Sequence, residues 1–222
     1  IYDRDMSIRN FVPEKYYGIQ SNAETNGCAV ELVSKKKFSD GEYQKALDTC
    51  AQYNAQAATV LNKKTKKDTL KPGKLYSLSK LQNVLGKKHK MSMERSLQIV
   101  QKLYEQGYLT YPRTNSEYLA CAEKDKIRKI IANVGNLGYP VEFKDGKTIF
   151  DDTKIESHSA LTPTYKIPSK SALTEEEILV YQTVFRRFVA VFCSEECRAQ
   201  KTEITIGVGE LEQFILRGTV IL

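Results

Sequence analysis

The hydrophobic pattern changes at Pro72-Gly73, and this change constrains the fold more than any other feature of the chain. Before it, apolar residues occur mainly in short strand-like runs, and after it they recur at the spacing of amphipathic helices. Proline next to glycine interrupts regular structure, so we place a domain boundary there. The sequence therefore predicts an α+β protein in which a discontinuous β-rich domain, residues 1–72 and 200–222, is interrupted by a mostly helical domain, residues 73–199.

Short alternating runs predict the strands of the β-rich domain. Asn26-Gly27 is a strong turn signal between the first two strands, and Ser39 or Asp40 can cap one helix after the second. The two last runs are expected to return to the sheet begun by residues 16–61. The predicted strands are residues 16–24, 29–35, 57–61, 202–208 and 213–222.

Residues 62–90 carry ten lysines and a single acid, Asp68. One interpretation is a solvated edge strand and loop, where lysine discourages aggregation. The other is a surface that follows a phosphate backbone, independently of sequence and sensitive to salt. The net charge of +7 is compatible with a polyanionic partner but does not decide between the two interpretations.

Two short amphipathic helices are predicted after the boundary. Ser79 and Gln82, three positions apart, resemble a capping box at the start of the first helix. The second helix, residues 94–106, is ended by Gly107. Its predicted apolar stripe is Leu97, Val100, Leu103 and Tyr104.

Two more helices follow. Ser116 can cap a helical segment that continues to Val134, with apolar residues three and four positions apart. Thr174 and Glu177 form a capping box for a helix that reaches Phe192 and has the strongest helical pattern in the chain. We expect the apolar residues of this last helix to lie in the core.

Residues 108–116, Tyr-Leu-Thr-Tyr-Pro-Arg-Thr-Asn-Ser, join the second and third predicted helices. Pro112 breaks the backbone, so Tyr111 and Arg113 stand close together on a rigid corner. Phenol is a poor nucleophile while its pKa stays at about 10. A cation that binds the attacked phosphate favours the phenolate and holds the target in line. Taken alone, the pattern is compatible with phosphodiester attack and with ordinary packing of a tyrosine on a turn.

Five segments, in three ordered blocks, resemble one protein family. Residues 75–82 (LYSLSKLQ), 96–105 (SLQIVQKLYE) and 109–119 (LTYPRTNSEYL) are similar, in order and spacing, to the part of type IA DNA topoisomerases that carries the catalytic tyrosine. Proline after the tyrosine is most similar to the topoisomerase III branch. Residues 158–164 (HSALTPT) and the helix at 173–192 resemble motifs that follow in the same family.

The resemblance implies a fold and a reaction. The fold would be that of prokaryotic type I topoisomerases, with a β-rich arch and a winged-helix-like domain that presents the tyrosine rather than reading a DNA groove. The reaction would cleave one DNA strand through a 5′-phosphotyrosine link, pass a strand and rejoin the ends.

The resemblance also implies roles for individual residues. Tyr111 would be the nucleophile, Arg113 would bind the non-bridging phosphate oxygens through its planar fork, and His158 would hydrogen-bond the phosphate. Without the family context a lone histidine such as His158 is expected to be structural, and His89 is expected to be solvated among its lysine neighbours. The predicted DNA contacts are Lys87, Lys88, Lys90, Thr114, Asn115, Ser116 and Arg186.

Two positions depart from the family pattern. Asn115 stands where the family usually has Asp, which removes a charge beside the site. Ser159 stands where topoisomerase III relatives often have a second histidine. We expect the shape of the site to survive both changes.

The resemblance implies Mg²⁺ in the full-length enzyme, bound by the acid cluster of a Toprim domain. Nothing in this chain resembles that domain, and Cys193 and Cys197 have no further ligands nearby, so no metal is expected here. The chain lacks an initiator Met and stops within a strand-like run, residues 214–222. We expect a piece of a longer protein that binds DNA weakly and does not cleave it alone.

The expected partners are single-stranded DNA and the remaining domains of the same polypeptide, with a monomer favoured. No apolar run approaches the roughly 20 residues needed to span a bilayer. Five cysteines at irregular spacing do not resemble a secreted disulfide framework, so a cytoplasmic location is predicted.

Two alternative functions stay open. The first is a non-catalytic single-strand-binding module, in which Tyr111 and nearby aromatic residues stack on bases. The second is a tyrosine relaxase or recombinase. A relaxase would need a histidine pair around an apolar residue, and a recombinase would need a wider Arg-His-Arg set. Neither set is present in the sequence.

Overall fold

The computed structural model describes residues 2–25 and 27–222, which divide into two compact units. Unit 1 comprises Ile1–Thr69 and Arg198–Leu222, and unit 2 comprises Leu70–Cys197. The chain therefore leaves the first unit, forms the second and returns. The mixture of helices and strands confirms the α+β fold class.

Unit 1 contains most of the strands. Its strands and helices, as far as they are described, bury few apolar side chains. The elements are α1 (Tyr2–Arg9), β1 (Tyr16–Thr25), β2 (Cys28–Ser39), α2 (Tyr43–Asn54), β3 (Ala58–Leu70), β4 (Cys197–Val208) and β5 (Glu212–Ile221).

The strands form two sheets rather than the single sheet that the sequence predicts. β1 and β2 make an antiparallel ribbon, and β3, β4 and β5 make a separate sheet with β4 in the middle. The returning strands therefore pair with residues 58–70 and not with the ribbon. Gly27, at a φ of 73°, lies in the turn of the ribbon, while Asn26 lies outside the described residues.

β3 extends far beyond the predicted end at Leu61 and includes Lys63, Lys64, Lys66 and Lys67. Residues 58–67 are exposed throughout, and the strand lies at the edge of its sheet. This agrees with the solvated edge-strand interpretation of the lysine run. The phosphate-binding interpretation stays a prediction.

A polar clamp joins the two sheets of unit 1. Glu212 at the start of β5 accepts hydrogen bonds from the hydroxyls of Ser34 and Tyr53, each at 2.6 Å, and from the backbone N–H of Lys35 at 3.0 Å. Burial raises the pKa of Glu212, but these donors more than offset that effect, so the pKa lies below its ordinary value. The clamp lies beside a small apolar cluster of Leu32, Val208 and Phe214.

Unit 2 packs four helices around one continuous apolar core. α4 packs against both α3 and α6, and side chains from all four helices are buried. The capping box of Thr174 and Glu177 at the start of α6 is confirmed. The helices are α3 (Leu78–His89), α4 (Met93–Glu105), α5 (Lys124–Gly135) and α6 (Glu175–Val191). None of the helices in the described ranges could cross a membrane.

The predicted start of α3 is wrong by two residues. Ser77, not Ser79, caps the helix, and its side chain accepts a hydrogen bond from the N–H of Lys80. Ser77 has the extended backbone that a cap needs, while Ser79 lies within the first turn. Gln82 instead donates its side-chain amide to the carbonyl of Met93.

Two other local predictions also need correction. The buried stripe of α4 is Ser96, Ile99, Val100 and Leu103, and Tyr104 is 38% exposed. Ser116 caps no helix, because α5 begins only at Lys124, after a turn of 3-10 helix at Cys121–Glu123. The buried stripe of α5 agrees with the predicted periodicity; its members are Ile127, Ile130, Ile131 and Val134.

Candidate active site

The segment around Tyr111 is held in place by residues 158–164, which lie beside it. The N–H of Thr110 donates to the carbonyl of Thr162 at 3.0 Å, and the N–H of Thr162 donates to Thr110 Oγ1 at 3.0 Å. A β-bridge between Leu109 and Pro163 continues this pairing. Two regions that are distant in sequence therefore form one strip of backbone.

The third region, residues 75–82, completes the strip. The N–H of Leu161 donates to the carbonyl of Tyr76 at 2.8 Å, and the N–H of Leu78 at the start of α3 donates to the carbonyl of Thr114 at 3.0 Å. Three of the segments that carry the family resemblance, residues 75–82, 109–119 and 158–164, are thus joined by backbone hydrogen bonds. Backbone hydrogen bonds hold Thr110 before Pro112 and Thr114 after it, so the corner is anchored on each side.

A tight turn centred on Arg113 follows Tyr111. The carbonyl of Pro112 accepts a hydrogen bond from the N–H of Thr114 at 3.0 Å, and Pro112 and Thr114 are both buried. The turn leaves Arg113 exposed between two buried neighbours. The sequence predicts this corner, and its geometry directs the guanidinium to solvent.

The ring of Tyr111 lies between two other rings. Its centroid is 4.4 Å from that of His158, with the planes 49° apart, and 5.4 Å from that of Tyr104, with the planes 83° apart. Tyr111 is half-buried and His158 is exposed. The ring is therefore constrained on two sides without being enclosed in the interior.

His158 is held through its backbone. Thr114 Oγ1 donates to the carbonyl of His158 at 2.8 Å and accepts from the N–H of Ser116 at 3.1 Å. This hydroxyl ties the imidazole-bearing segment to the corner that carries Tyr111. Thr114 positions the site in this way although it cannot reach solvent.

Arg113 lines a shallow groove next to the corner. The groove has a volume of about 430 Å³. Two of its side-chain amides are already engaged, since Gln82 donates to the carbonyl of Met93 and Asn115 donates to Glu156 Oε2 at 2.7 Å. The groove residues are Leu78, Ser79, Gln82, Arg113, Thr114, Asn115 and Ser157.

The predicted DNA contacts separate into two groups. Asn115 lies at the groove, while Thr114 and Ser116 are buried, with 6% and 4% of their surfaces exposed. Ser116 Oγ donates to the carbonyl of Lys154 at 3.0 Å. The hydroxyls of Thr114 and Ser116 thus make hydrogen bonds inside the protein and position the corner, and a contact of either residue with DNA stays a prediction.

The predicted basic contacts lie on the surfaces of two helices. Lys87 and Lys88 are in the last turn of α3, where cations also complement the helix dipole, and Lys90 follows as its left-handed cap. Arg186 is exposed on α6. In the described part of the chain, no hydrogen bond or ring contact joins any of the four to Tyr111.

Charged pairs stabilise the segments that flank the corner. Lys80 on α3 forms an ion pair with Glu117 at 2.6 Å, and the ammonium group of Lys74 donates to the hydroxyl of Tyr118 and lies over its ring. The hydrogen bond to Tyr118 raises the pKa of Lys74. The ammonium groups of Lys74 and Lys80 are therefore both held by residues that follow the corner.

The sequence does not reveal the contacts made by Tyr104, Glu156 and Ser159. Tyr104 fits the apolar periodicity of its helix, so the pattern assigns it to the core. Ser159 Oγ accepts from the N–H of Ala120 at 3.1 Å, a contact between segments that no local pattern predicts. Among residues 2–25 and 27–222, no group of three or more His, Cys, Asp or Glu residues could hold a metal ion.

Comparison with known proteins gives concordant results. A family profile described as DNA topoisomerase matches residues 1–222. The chain is 34% identical over its whole length to DNA topoisomerase 3 of Bacillus thuringiensis (strain Al Hakam), and 31% identical over 86% of its length to DNA topoisomerase 3 of Shouchella clausii. It spans 31% and 28% of those proteins.

One solved structure shares the fold. Full-length topoisomerase I from Thermotoga maritima is 23% identical, with a TM-score of 0.59 over 99% of this chain and 36% of that protein. At this identity the likeness concerns the fold alone. The α+β architecture described above thus has a counterpart in a larger protein.

Proposed function

This chain belongs to the type IA DNA topoisomerase family, and we propose that it carries the strand-cleaving tyrosine of a topoisomerase III-like enzyme. The observation that carries the proposal is the setting of Tyr111. Its ring is constrained by Tyr104 and His158 while it stays partly exposed, and Arg113 projects from the adjacent turn. Because the chain spans about a third of the length of its curated relatives, the activity is proposed for the longer polypeptide.

The proposed reaction is a reversible transfer of a phosphodiester. Tyr111 Oη bonds to phosphorus as its proton is lost, the bond from phosphorus to the 3′ oxygen breaks, and that oxygen takes up a proton. The products are a 5′-phosphotyrosine and a free 3′-hydroxyl, which later reverses the attack. No external energy is needed, because one phosphoester bond replaces another.

Arg113 and His158 are proposed to act on the attacked phosphate. The guanidinium of Arg113 offers a planar pair of N–H donors to the non-bridging oxygens, so it stabilises the negative charge of the transition state. His158, in ring contact with Tyr111, can donate a hydrogen bond to the same phosphate. The proposed strand contacts are Lys87, Lys88, Lys90, Asn115 and Arg186.

The remaining requirements are assigned to other parts of the longer polypeptide. The described residues do not fit a divalent-metal site, so the proposal places Mg²⁺ in another domain. Unit 1 is proposed to belong to the arch that opens for strand passage. Tyr111 and the basic surface of unit 2 would bind single-stranded DNA, in a cytoplasmic enzyme with reduced cysteines.

The test uses the longer polypeptide, Mg²⁺ and a single-stranded oligonucleotide labelled at its 3′ end, which the 5′-phosphotyrosine link would retain. After denaturation and proteolysis, the labelled peptide should contain Tyr111. Tyr111→Phe should abolish the adduct and preserve DNA binding, since only one hydroxyl is removed. Tyr165→Phe is the control, because Tyr165 is 75% exposed.

Two results would reject the proposal. One is a labelled peptide that lacks Tyr111, and the other is an undiminished adduct in Tyr111→Phe. Unchanged strand cleavage in that variant would instead favour a single-strand-binding role for this region.

A further inference from the structure

We propose that Tyr104 is a positioning residue for Tyr111: its ring holds the ring of the nucleophile in the orientation from which attack occurs. The inference rests on the proposed function and adds to it a residue outside the strip of residues 108–116 and 158–164. It concerns the rate of strand cleavage rather than the binding of DNA.

The position of Tyr104 on α4 argues against a core role. The helix buries Ser96, Ile99, Val100 and Leu103, and Tyr104 follows that stripe with 38% of its surface exposed. Its recorded ring contact is with Tyr111, edge to face at 5.4 Å. The side chain therefore lies at the edge of the buried stripe, in contact with the ring of Tyr111.

The end of α4 explains how two residues seven positions apart come into contact. Gly107, at a φ of 78°, donates its N–H to the carbonyl of Tyr104 at 2.8 Å, and Tyr108 donates to the carbonyl of Leu103 at 2.9 Å. This pair of bonds is a Schellman cap, which reverses the chain sharply. The returning strip then carries Tyr111 past the last turn of the helix.

The contact constrains the ring without engaging its hydroxyl. His158 lies 4.4 Å from the Tyr111 ring, and Tyr104 meets the same ring at a nearly perpendicular angle. Within residues 2–25 and 27–222, neither the hydroxyl of Tyr111 nor that of Tyr104 makes a hydrogen bond. The aromatic ring of Tyr104, and not its hydroxyl, is thus the functional group.

The size of the effect follows from the contact. Edge-to-face pairs of aromatic rings change an equilibrium between two orientations by up to roughly tenfold. Removal of the Tyr104 ring should therefore slow cleavage by about three- to tenfold, with no change in the dissociation constant for DNA. A substitution that keeps the ring should restore the rate.

The first experiment compares Tyr104→Ala, Tyr104→Phe and Tyr165→Ala in the longer polypeptide, by single-turnover cleavage of single-stranded DNA and by DNA titration. We expect slower cleavage with unchanged DNA affinity in Tyr104→Ala, and normal behaviour in the other two variants. Normal cleavage by Tyr104→Ala, or equally slow cleavage by Tyr104→Phe, would overturn the inference.

A second experiment uses this chain and needs no activity. With 3-fluorotyrosine at position 111, the ¹⁹F resonance should shift and sharpen in Tyr104→Ala, because the ring gains freedom, and stay unchanged in Tyr104→Phe. An identical resonance in wild type and Tyr104→Ala would overturn the inference. Tyr111→Phe, assayed for the adduct in parallel, tests the proposed function separately, so the failure of one proposal is distinguishable from that of the other.

Discussion

Unit 2 and unit 1 are stabilised in different ways. The described core of unit 2 is continuous and draws on α3, α4, α5, α6 and the strip that carries Tyr111. In unit 1, the described buried apolar cluster is Leu32, Val208 and Phe214, and the polar clamp at Glu212 joins the ribbon, α2 and the larger sheet. The apolar core of unit 2 is therefore much the larger, and unit 1 supplements a small one with a hydrogen-bonded carboxylate.

The difference matters for the site. A corner attached to a close-packed core has little freedom to relax, so the rings of Tyr104, Tyr111 and His158 keep their mutual orientation. A unit with a small core and an exposed edge strand opens locally at a lower free energy. The proposed site thus lies in the unit with the larger described core.

The largest expected effect is the loss of stability when a buried phenylalanine is truncated, and it should differ between the two cores. Phe188 on α6 is fully buried, so Phe188→Ala should destabilise unit 2 by about 5 kcal/mol, the upper part of the range for buried phenylalanine. Phe214→Ala should cost unit 1 about 3 kcal/mol, because fewer neighbours surround the gap and the site can collapse. Native-state hydrogen exchange measures the two units separately.

The control for both variants is Tyr165→Ala, which removes an exposed ring and should change stability by less than about 0.5 kcal/mol. Equal losses from Phe188→Ala and Phe214→Ala would contradict the comparison, since they would indicate equally constrained cores.

An intermediate effect is expected from the polar clamp. Glu212→Gln removes the charge that accepts hydrogen bonds from Ser34, Tyr53 and Lys35, and should destabilise unit 1 by about 2 kcal/mol. The pKa of Glu212 is lowered in the folded protein, from 4.5. The carboxylate therefore contributes stability above about pH 4.5, and the contribution is lost as the pH falls through the folded pKa.

Hydrogen exchange of unit 1 between pH 6 and pH 3 checks this prediction. Unit 1 of the wild-type protein should lose more stability on acidification than unit 1 of Glu212→Gln. The hydrogen exchange of unit 2 should be the same in both proteins. Glu210→Gln is the matched control, because Glu210 is an exposed carboxylate in the turn just before β5. Parallel pH profiles for wild type and Glu212→Gln would rule out the clamp.

The periodicity of apolar residues predicts the helices and strands better than it predicts how the strands pair. The helices at α5 and α6 follow from apolar spacing, because each buries one face against the core. The two sheets of unit 1 do not follow, since an alternating strand carries no information about which strand it will pair with. Residues 62–70 continue β3 although they are mostly lysine and threonine, because pairing with β4 overrides weak local preference.

The sequence names the candidate residues of the site but does not predict the contacts between them. Residue type and the family resemblance single out Tyr111, Arg113 and His158. The part played by Tyr104 depends on a chain reversal at Gly107, and the burial of Thr114 depends on pairing with residues 158–164. Such contacts between distant segments are decided by tertiary packing, so no local pattern contains them.

The smallest predicted effect distinguishes the predicted cap of α3 from the observed one. Ser77→Ala removes the acceptor for the N–H of Lys80 and should cost about 1 kcal/mol, while Ser79→Ala should change stability by less than about 0.5 kcal/mol, since alanine suits a first helical turn. Both can be measured by urea denaturation. The N–H of Leu78 donates to the carbonyl of Thr114, so loss of the cap should also increase hydrogen exchange at Leu78. A larger loss from Ser79→Ala would restore the cap that the sequence predicts, and would weaken the case that unit 2 fixes its tyrosine corner through the start of α3.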